Sequence, residues 1–282
     1  MNTTLDCLPC LLRQVLAGAR LARPGDEDFH QRILLDWMER LAHADLKRSP
    51  PELAGALYRG LAETSRLGDP YAEIKNDANR RVMAMLPRLR TMVEESEDRL
   101  AAALRLSIIG NYIDSGVAQE YDWERALLHE NHVLDDGVYN EFRRLARSCG
   151  ELLVLGDNAG EVGLDVVLAE TLEEMGVRVT YAVRGRPILN DATMEDARLV
   201  GMDQVCEVVS SGSDIPGTAF DRCDPEFSAR LQDAPLVLSK GQGNFESLVD
   251  RLPGVFFAFK VKCRVVASRT GLPDGRSALL RP

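Results

Sequence analysis

Three oxygen-bearing side chains in the second half of the chain stand shortly after predicted strands. Asp157 and Asn158 follow the apolar run at 151–155, and Asp191 follows the run at 177–183. Two carboxylates and an amide carbonyl are hard oxygen donors of the kind that Mg²⁺ and Mn²⁺ prefer, with water and phosphate oxygens completing the octahedron. Co²⁺ and Ni²⁺ also fit such donors. The three residues therefore predict a divalent-metal site of the kind that acts on phosphate esters.

Positive charge is expected at the same place. Lys240 directly follows the fourth apolar run and precedes a Gly-Gln-Gly turn into a predicted helix. Its ammonium would lie beside backbone N–H groups that favour an anion. Arg184 and Arg186, in the loop after the second run, could add further positive charge. These residues predict a place for a phosphate group.

Each of these residues also has a simpler structural interpretation. Asp157 and Asn158 are a common turn pair, Asp191 could cap the helix that begins near Thr193, and a lysine after a strand is often solvated. Their joint placement after three different strands favours a functional site over three unrelated structural roles.

The elements that must position these residues are short apolar runs separated by helical or turn-rich sequence. The runs lie at 151–155, 177–183, 205–210, 235–239 and 255–261. This alternation predicts a mostly parallel sheet covered on both faces. In open parallel sheets, ligands bind outside the carboxyl ends of the strands, which is where the polar loops of this chain lie.

The first half of the chain is predicted to be helical, with five or six helices before residue 150. Apolar residues recur at helical spacing from Leu11 to Ala19 and from Phe29 to Leu41, and Ser49 precedes two prolines that suit a first turn. The prediction is an α/β protein in which a helical half precedes a Rossmann-like sheet with helices on both faces. We expect a helical subdomain at 1–105 and an α/β phosphatase domain at 106–282, with the sheet core from about residue 150 and no clear linker between them.

Composition excludes several classes of protein. The formal charge of -10 argues against a general nucleic-acid or anionic-membrane surface, because binding to phosphate backbones requires net positive charge. No apolar run reaches the ~18 residues that span a bilayer, and the first residues lack the order of a signal peptide. The expected compartment is the cytoplasm, and the six cysteines are expected to be free thiols.

Other nucleotide and hydrolase sites fit the sequence less well. The dinucleotide fingerprint needs small residues where Asp157 and Asn158 stand. A methyltransferase shares the strand, the acidic residue and the glycine-bearing loop, but it would leave Asp191 and Lys240 without a role. A serine or cysteine triad lacks its histidine in the α/β half, because all four histidines lie before residue 150.

Cys7 and Cys10 form a Cys-x-x-Cys pair at a predicted helix start. They could be reduced, partly buried structural residues, a redox pair, or residues close to the active site. A structural zinc is disfavoured because no second Cys-x-x-Cys supplies the missing ligands. His129 and His132 are three residues apart and are best explained as a solvated helix face.

A string of motifs resembles a known family. "IIGNYIDSG" at 108–116, "LGDNAGE", "RGRPILNDAT", "SGSDIPGT" and "LSKGQGNFE" occur in this order and are similar to the motifs of the DUF89 family, the metal-dependent damage-control phosphatases. The opening "DCLPCLLRQ" resembles the prokaryotic branch of that family. The similarity covers nearly the whole chain, and it is the series of motifs that is specific.

The resemblance implies a phosphatase that hydrolyses small phosphate esters, such as sugar phosphates or damaged phosphometabolites, with a divalent metal at the strand ends. It places the metal ligands on Asp157, Asn158 and Asp191 and assigns Lys240 to the phosphoryl group. Asn111 and Asp114 match a motif expected beside the substrate. Further substrate-side positions are implied at Glu161, Arg184, Ser213, Thr218, Asn244 and Glu246, and Asn190 also belongs to a matching motif.

Charge determines the expected mechanism. A metal and a lysine stabilise the negative charge that develops on the phosphoryl oxygens. Water is the preferred nucleophile over a carboxylate, with Asp114 or Glu246 as the proton acceptor. Two alternatives remain at this point: an S-adenosylmethionine-dependent methyltransferase, and a noncatalytic module that binds a phosphometabolite or a metal. The sequence names neither the substrate nor the oligomeric state.

Overall fold

The structure, a computed structural model of the chain, describes residues 1–65, 68–109 and 134–282. Four residues of the sequence interpretation therefore lie outside the described residues. These are Asn111 and Asp114, which were expected beside the substrate, and the histidines His129 and His132.

The described chain before residue 150 is helical, as predicted. Its helices are α1 (Cys7–Ala22), α2 (Glu27–Ala42), α3 (Pro50–Ser65), α4 (Ala72–Glu94), α5 (Arg99–Ile109) and α6 (Asp136–Cys149). Helix α2 begins where the Asp26 carboxylate accepts a hydrogen bond from the Phe29 amide at 3.0 Å. Before α3, the amide and hydroxyl of Ser49 both donate to Glu52, at 2.8 and 2.7 Å, with the prolines in the first turn.

Helices α1, α2 and α3 share one apolar core. Its buried members come from one face of each helix and include Leu11, Val15, Phe29, Ile33, Trp37, Leu57 and Leu61. Ile188, from the loop after the second strand, is buried in the same core. The first three helices thereby pack directly onto a loop of the α/β half.

The second half forms one sheet of six strands. They are β1 (Glu151–Leu155), β2 (Arg178–Val183), β3 (Glu207–Ser210), β4 (Val237–Lys240), β5 (Phe256–Lys260) and β6 (Ser277–Leu280). The order is β3-β2-β1-β4-β5-β6, with β1 to β5 parallel and β6 antiparallel to β5. All five predicted strands are present, which confirms the mostly parallel sheet, whereas β6 was not predicted.

Helices cover both faces of the sheet because successive strand residues point to opposite sides. Leu152 and Val154 of β1 face a core built with α4, α5, α6 and α7 (Glu161–Glu174). Leu153 and Leu155 face the core built with α9 (Pro225–Asp233), α10 (Gln242–Leu248) and α11 (Arg264–Thr270). The remaining short helix, α8 (Met194–Leu199), follows the loop after β2. This arrangement confirms the predicted fold class.

The strand order places the loops of interest at one point. Strand β1 lies between β2 and β4, so the chain leaves β1 towards one side of the sheet and later returns on the other side. Such a reversal opens a crevice at the carboxyl ends of the two central strands. Asp157 lies just beyond β1, and Lys240 is the last residue of β4. The topology therefore brings these two positions to the same edge.

Residue 105, the expected end of the helical subdomain, lies within α5. Leu104 and Leu106 on either side of it are buried in the core shared with β1 and β2. The division at this residue stays a prediction. None of the helices in the described ranges is both long and apolar enough to cross a bilayer.

Candidate active site

Backbone hydrogen bonds join the loop after β1 to the loop after β2. The Ala192 amide donates to the Asp157 carbonyl, and the Ala159 amide donates to the Asn190 carbonyl, both at 2.8 Å. Asn158 and Asp191 face each other in an isolated antiparallel bridge. The structure therefore brings together Asp157, Asn158 and Asp191, the three residues that the sequence predicted as metal ligands.

Arg184 connects these two loops to a third loop, which follows β3 and contains Thr218. Its side chain is only 2% exposed, and its Nε donates to Asp191 Oδ2 at 2.6 Å. Its Nη1 donates to the Thr218 hydroxyl at 3.1 Å, while its Nη2 lies 3.7 Å from Asp157 Oδ1. This Nη2 makes no hydrogen bond within the described part of the chain. Arg184 thus holds both aspartates, but it is not among the residues that line the adjoining cavity.

Asn244 connects the turn after β4 to the same cluster. Its amide nitrogen donates to the carbonyls of Gly156 and Lys240, at 3.1 and 2.7 Å, and its Oδ1 accepts from Thr218 at 2.8 Å. The side chains of Thr218 and Asn244 are therefore engaged in holding loops together. Neither is among the residues that line the adjoining cavity.

Lys240 is completely buried and points below the floor of the site. Its Nζ donates to Asp165 at 2.8 Å and to the Ser107 carbonyl at 3.0 Å, and it lies 3.8 Å from Glu161. Burial acts to lower the pKa of Lys240, but the charges of Asp165 and Glu161 outweigh it and raise the pKa above 10.5. The ammonium is charged and does not line the cavity, so the contact with a phosphoryl group stays a prediction.

Negative charge is in excess in this cluster. Among the described residues it contains four buried carboxylates (Asp157, Glu161, Asp165 and Asp191) and two buried cations (Arg184 and Lys240). Burial raises the pKa of Glu161 from 4.5 to about 8; Lys240 opposes the rise, and Asp157 and Asp165 add to it. Carboxylates thus outnumber cations among these buried side chains. A divalent cation would supply further positive charge beside them.

The donor set fits a hard divalent cation. The Asn158 amide nitrogen donates to Glu161 Oε1 at 2.9 Å and lies 3.3 Å from Asp157 Oδ2, which leaves the amide oxygen as a ligand atom. No group of three or more His, Cys, Asp or Glu side chains in the described ranges is arranged as a metal site by itself. With two carboxylates, Asp157 and Asp191, the site depends on the amide, and metal binding stays a prediction.

A cavity of about 660 Å³ opens onto these donors from the side of the first helices. Asp157, Asn158 and Asp191 line it from the strand ends. The walls include Cys7, Cys10 and Gln14 of α1, Tyr58 of α3, Tyr71, and Gln242, Glu246 and Cys263 of the α/β half. Its size suits a small metabolite.

A second cavity, of about 430 Å³, lies at the opposite edge of the sheet. Its charged groups pair with one another: Arg178 with Glu151, and Arg230 with Glu207. It contains none of the predicted site residues. The cavity at the carboxyl ends is therefore the candidate active site.

Comparison with known proteins connects this site to a family. The model of the damage-control phosphatase ARMT1-like domain matches residues 3–277. The chain belongs to this family. Its resemblance to the DUF89 damage-control phosphatases is thereby confirmed.

Relatives in archaea match over almost their whole length. A protein of Archaeoglobus fulgidus named damage-control phosphatase is 33% identical, covering 95% of both chains. An uncharacterised protein of Methanocaldococcus jannaschii is 31% identical, covering 98% of this chain and 94% of its own. The crystal structure of a DUF89 family protein from Pyrococcus horikoshii has a TM-score of 0.87 at 27% identity, covering 100% of this chain and 99% of that one.

The other family motifs occupy different places around the cavity. Glu246 lines it and is 9% exposed, and Asn190 lines it as well. The Ser213 hydroxyl donates to the Gly217 carbonyl at 2.8 Å and holds its own loop. Arg186 is exposed and does not line the cavity. The substrate-side roles assigned to these residues stay predictions.

The Cys-x-x-Cys pair of the family lies in the wall of the cavity. Cys7 is the first residue of α1 and Cys10 follows one turn later, and both thiols are free and half-buried. Of the three interpretations of this pair, the structure supports proximity to the candidate active site. The helix carries the two residues there because α1 packs beside α3 above the strand ends.

Sequence reasoning missed the buried polar residues beneath the site, which include Ser107, Asp165 and Tyr181. Asp165 does leave a signal, because it is a charged residue within the otherwise apolar segment "VGLDVVLA" of α7. A carboxylate in such a segment is buried with its partners or is functional. The tyrosines of the cavity wall, Tyr58 and Tyr71, leave no such signal.

Proposed function

We propose that this chain is a divalent-metal-dependent phosphatase that releases phosphate from small phosphate esters, such as sugar phosphates or damaged phosphometabolites. Two kinds of observation support the proposal. The family and the names of the relatives indicate phosphatase chemistry. The cavity has the dimensions of a small phosphorylated metabolite and not of a macromolecule.

The observation that carries the metal dependence is the convergence of the Asp157, Asn158 and Asp191 side chains at the cavity floor. Asp157 and Asp191 are 7% and 3% exposed, and Arg184 lies 3.7 Å from Asp157 Oδ1 and 2.6 Å from Asp191 Oδ2. A phosphate monoester carries negative charge itself, and Arg13, Lys262 and Arg264 in the cavity wall would attract it. A divalent cation bound at Asp157 and Asp191 would offset the repulsion from these two carboxylates.

Asp157, Asn158 and Asp191 would hold the cation, with Mg²⁺ or Mn²⁺ the best fit and Co²⁺ and Ni²⁺ acceptable. The cation would supply Lewis acidity at the phosphoryl oxygens. Arg184 fixes the Asp191 carboxylate through its Nε. These residues orient and bind; they form no covalent bond.

Water is the proposed source of the attacking oxygen, and Glu246 is the proton acceptor among the described residues. The new P–O bond forms from water as the bond to the ester oxygen breaks, and the products are the alcohol and inorganic phosphate. Glu246 lines the cavity, and burial raises the pKa of its carboxyl to about 7. A base of that pKa accepts protons efficiently near neutral pH.

Release of inorganic phosphate from a panel of small phosphate esters tests the proposal. The wild type, Asp157→Asn and the control Asp203→Asn, which changes an exposed residue far from the cavity, are compared in chelator, Mg²⁺, Mn²⁺, Co²⁺ and Ni²⁺. We expect metal-dependent release by the wild type and the control, and loss of at least about 100-fold in Asp157→Asn.

Three outcomes would contradict the proposal. Equal turnover in chelator would exclude metal dependence. Tight binding of Mn²⁺ without turnover of any ester would favour the noncatalytic binding module. Binding of S-adenosylmethionine that survives Asp191→Asn would favour the methyltransferase.

A further inference from the structure

Asp165 is a buried carboxylate that the proposed reaction does not use. It lies in α7 one turn after Glu161 and is 1% exposed. Three donors from three elements converge on it. Lys240 Nζ of β4 and the Ser107 hydroxyl of α5 donate to its Oδ1, at 2.8 and 2.5 Å, and the Tyr181 hydroxyl of β2 donates to its Oδ2 at 2.6 Å.

A continuous series of polar contacts leads from Asp165 to the predicted metal ligands. The ammonium of Lys240 lies between Asp165 and Glu161, 3.8 Å from Glu161 Oε2. Glu161 Oε1 accepts from the Asn158 amide nitrogen at 2.9 Å. The contact with Glu161, together with the longer 3.3 Å contact to Asp157 Oδ2, places the Asn158 amide nitrogen and turns the amide oxygen away from Glu161.

Burial makes this series rigid. Asp165 and Glu161 are each 1% exposed, and Lys240 is 0% exposed, so each group has little access to water. In such an environment a charged group that loses its partner is strongly destabilised, and pairing with another opposite charge lowers that cost. Without Asp165, the remaining carboxylate beside Lys240 in the described structure is Glu161. The ammonium would then draw Glu161 away from Asn158.

We propose that Asp165 is a positioning residue that acts through Lys240 and Glu161. It fixes the Asn158 side chain with the carbonyl oxygen available to the divalent cation. The inference rests on the proposed function, because it concerns the ligands of that cation. It also gives buried Lys240 a role that requires no contact with the substrate.

Calorimetric titration of the full-length chain with Mn²⁺ tests the inference without relying on activity. Asp165→Asn keeps the size of the side chain and removes its charge, and we expect the dissociation constant for Mn²⁺ to rise about 10- to 100-fold. Tyr181→Phe removes one hydrogen bond to Asp165 and keeps the ion pair with Lys240, so it should raise the constant by about threefold.

Glu170→Gln is the matched control. Glu170 lies on the same helix, and its carboxylate accepts from Arg90 of α4, at 2.7 and 2.9 Å, far from the strand ends. The change from carboxylate to amide also breaks an ion pair there, but we expect an unchanged affinity for Mn²⁺. In phosphate release, excess Mn²⁺ should restore the turnover of Asp165→Asn, as a defect in metal positioning requires.

A folded Asp165→Asn protein with the affinity of the wild type would overturn the inference and leave the proposed function intact. If that variant does not fold, Tyr181→Phe decides, and an unchanged constant there would overturn it equally. A wild type that binds no Mn²⁺ would instead overturn the proposed function, and the inference with it.

Discussion

Gly241 lies against the carboxylate of Asp157 and has no room for a side chain. Its φ is +80°, and a Cβ atom built on it would lie 2.0 Å from Asp157 Oδ2. Glycine is therefore needed at this position for two reasons, the left-handed backbone and the close approach of a predicted metal ligand. A substitution here tests whether the position of the Asp157 carboxylate matters for function.

Gly241→Ala should abolish metal-dependent phosphate release, because the new methyl group displaces the Asp157 carboxylate. Gly254→Ala is the control, since Gly254 has the same φ of +80° and its nearest neighbour is an Arg281 nitrogen at 3.6 Å. Backbone strain should cost Gly254→Ala about 1 kcal/mol of unfolding free energy, and Gly241→Ala should cost more because its methyl group also overlaps Asp157. Equal activities of the two folded variants would contradict the prediction.

Glu246 should determine the pH dependence of turnover. Burial raises the pKa of its carboxyl to about 7, against the opposing effects of the Gln242 hydrogen bond, the N-terminal ammonium and Lys262. A proton acceptor must be ionised, so kcat at saturating Mn²⁺ should rise as the pH passes about 7. Glu246→Gln should remove this rise and lower kcat by about 100-fold.

The same raised pKa also affects stability, with a definite sign. Between the unfolded pKa of 4.5 and about 7, the folded chain holds a proton that the unfolded chain has released. The protonated Glu246 carboxyl therefore contributes to the free energy of unfolding. This contribution is fully present below pH 4.5 and is lost as the pH rises through about 7. Glu195→Gln, which changes an exposed carboxylate, is the control for both predictions on Glu246.

The kcat of Glu246→Gln decides the assignment of the proton acceptor. If kcat in this variant still rises as the pH passes about 7, the rise belongs to another group.

At the scale of elements, the loop after β3 attaches helix α3 to the sheet. Asp214 in this loop accepts from Arg59 of α3 at 2.9 Å and from both Nε and Nη2 of Arg222. Burial acts to raise the pKa of Asp214, but the hydrogen bonds of Arg222 and the charge of Arg59 outweigh it and hold the pKa below 3.8. This carboxylate therefore stabilises the packing of α3 above the cavity.

Asp214→Asn should lower the free energy of unfolding by about 1 to 2 kcal/mol at pH 7. Because the folded pKa is depressed, the difference from the wild type should persist above pH 3.8 and vanish as the pH falls through the folded value. Urea unfolding at pH 7 and pH 3 measures it. Asp221→Asn should change little, since that carboxylate is half exposed and lies 3.8 Å from Arg48. A pH-independent loss in Asp214→Asn would contradict the ion-pair explanation.

At the scale of the whole molecule, the charge of the site should couple metal binding to folding. A ligand that binds only the folded chain stabilises it by mass action, by about 2.7 kcal/mol at 100 times its dissociation constant. Mn²⁺ should therefore raise the melting temperature by several degrees, and excess chelator should reverse the shift. The double variant Asp157→Asn with Asp191→Asn should melt at the same temperature with and without Mn²⁺. A shift in that variant equal to the wild type's would place the bound ion elsewhere.

The sequence alone determined the fold class and the edge of the sheet where the predicted ligands meet. Apolar runs of strand length are visible locally, and parallel strands bring their carboxyl ends to one edge, so Asp157, Asn158 and Asp191 could be grouped without coordinates. Strand β6 was missed because, unlike the five predicted strands, it pairs antiparallel at the edge of the sheet, after an intervening helix.

Only the tertiary structure decided which side chains face the cavity and which lie beneath it. Lys240 shares its face of β4 with Leu238, which packs in the core of α5 and α7, so its ammonium meets Asp165. Cys7 and Cys10 reach the cavity because α1 packs on α3. Periodicity fixes the face of a residue within its own strand or helix, but the partner of a buried charge comes from a distant segment, and only packing brings the two together.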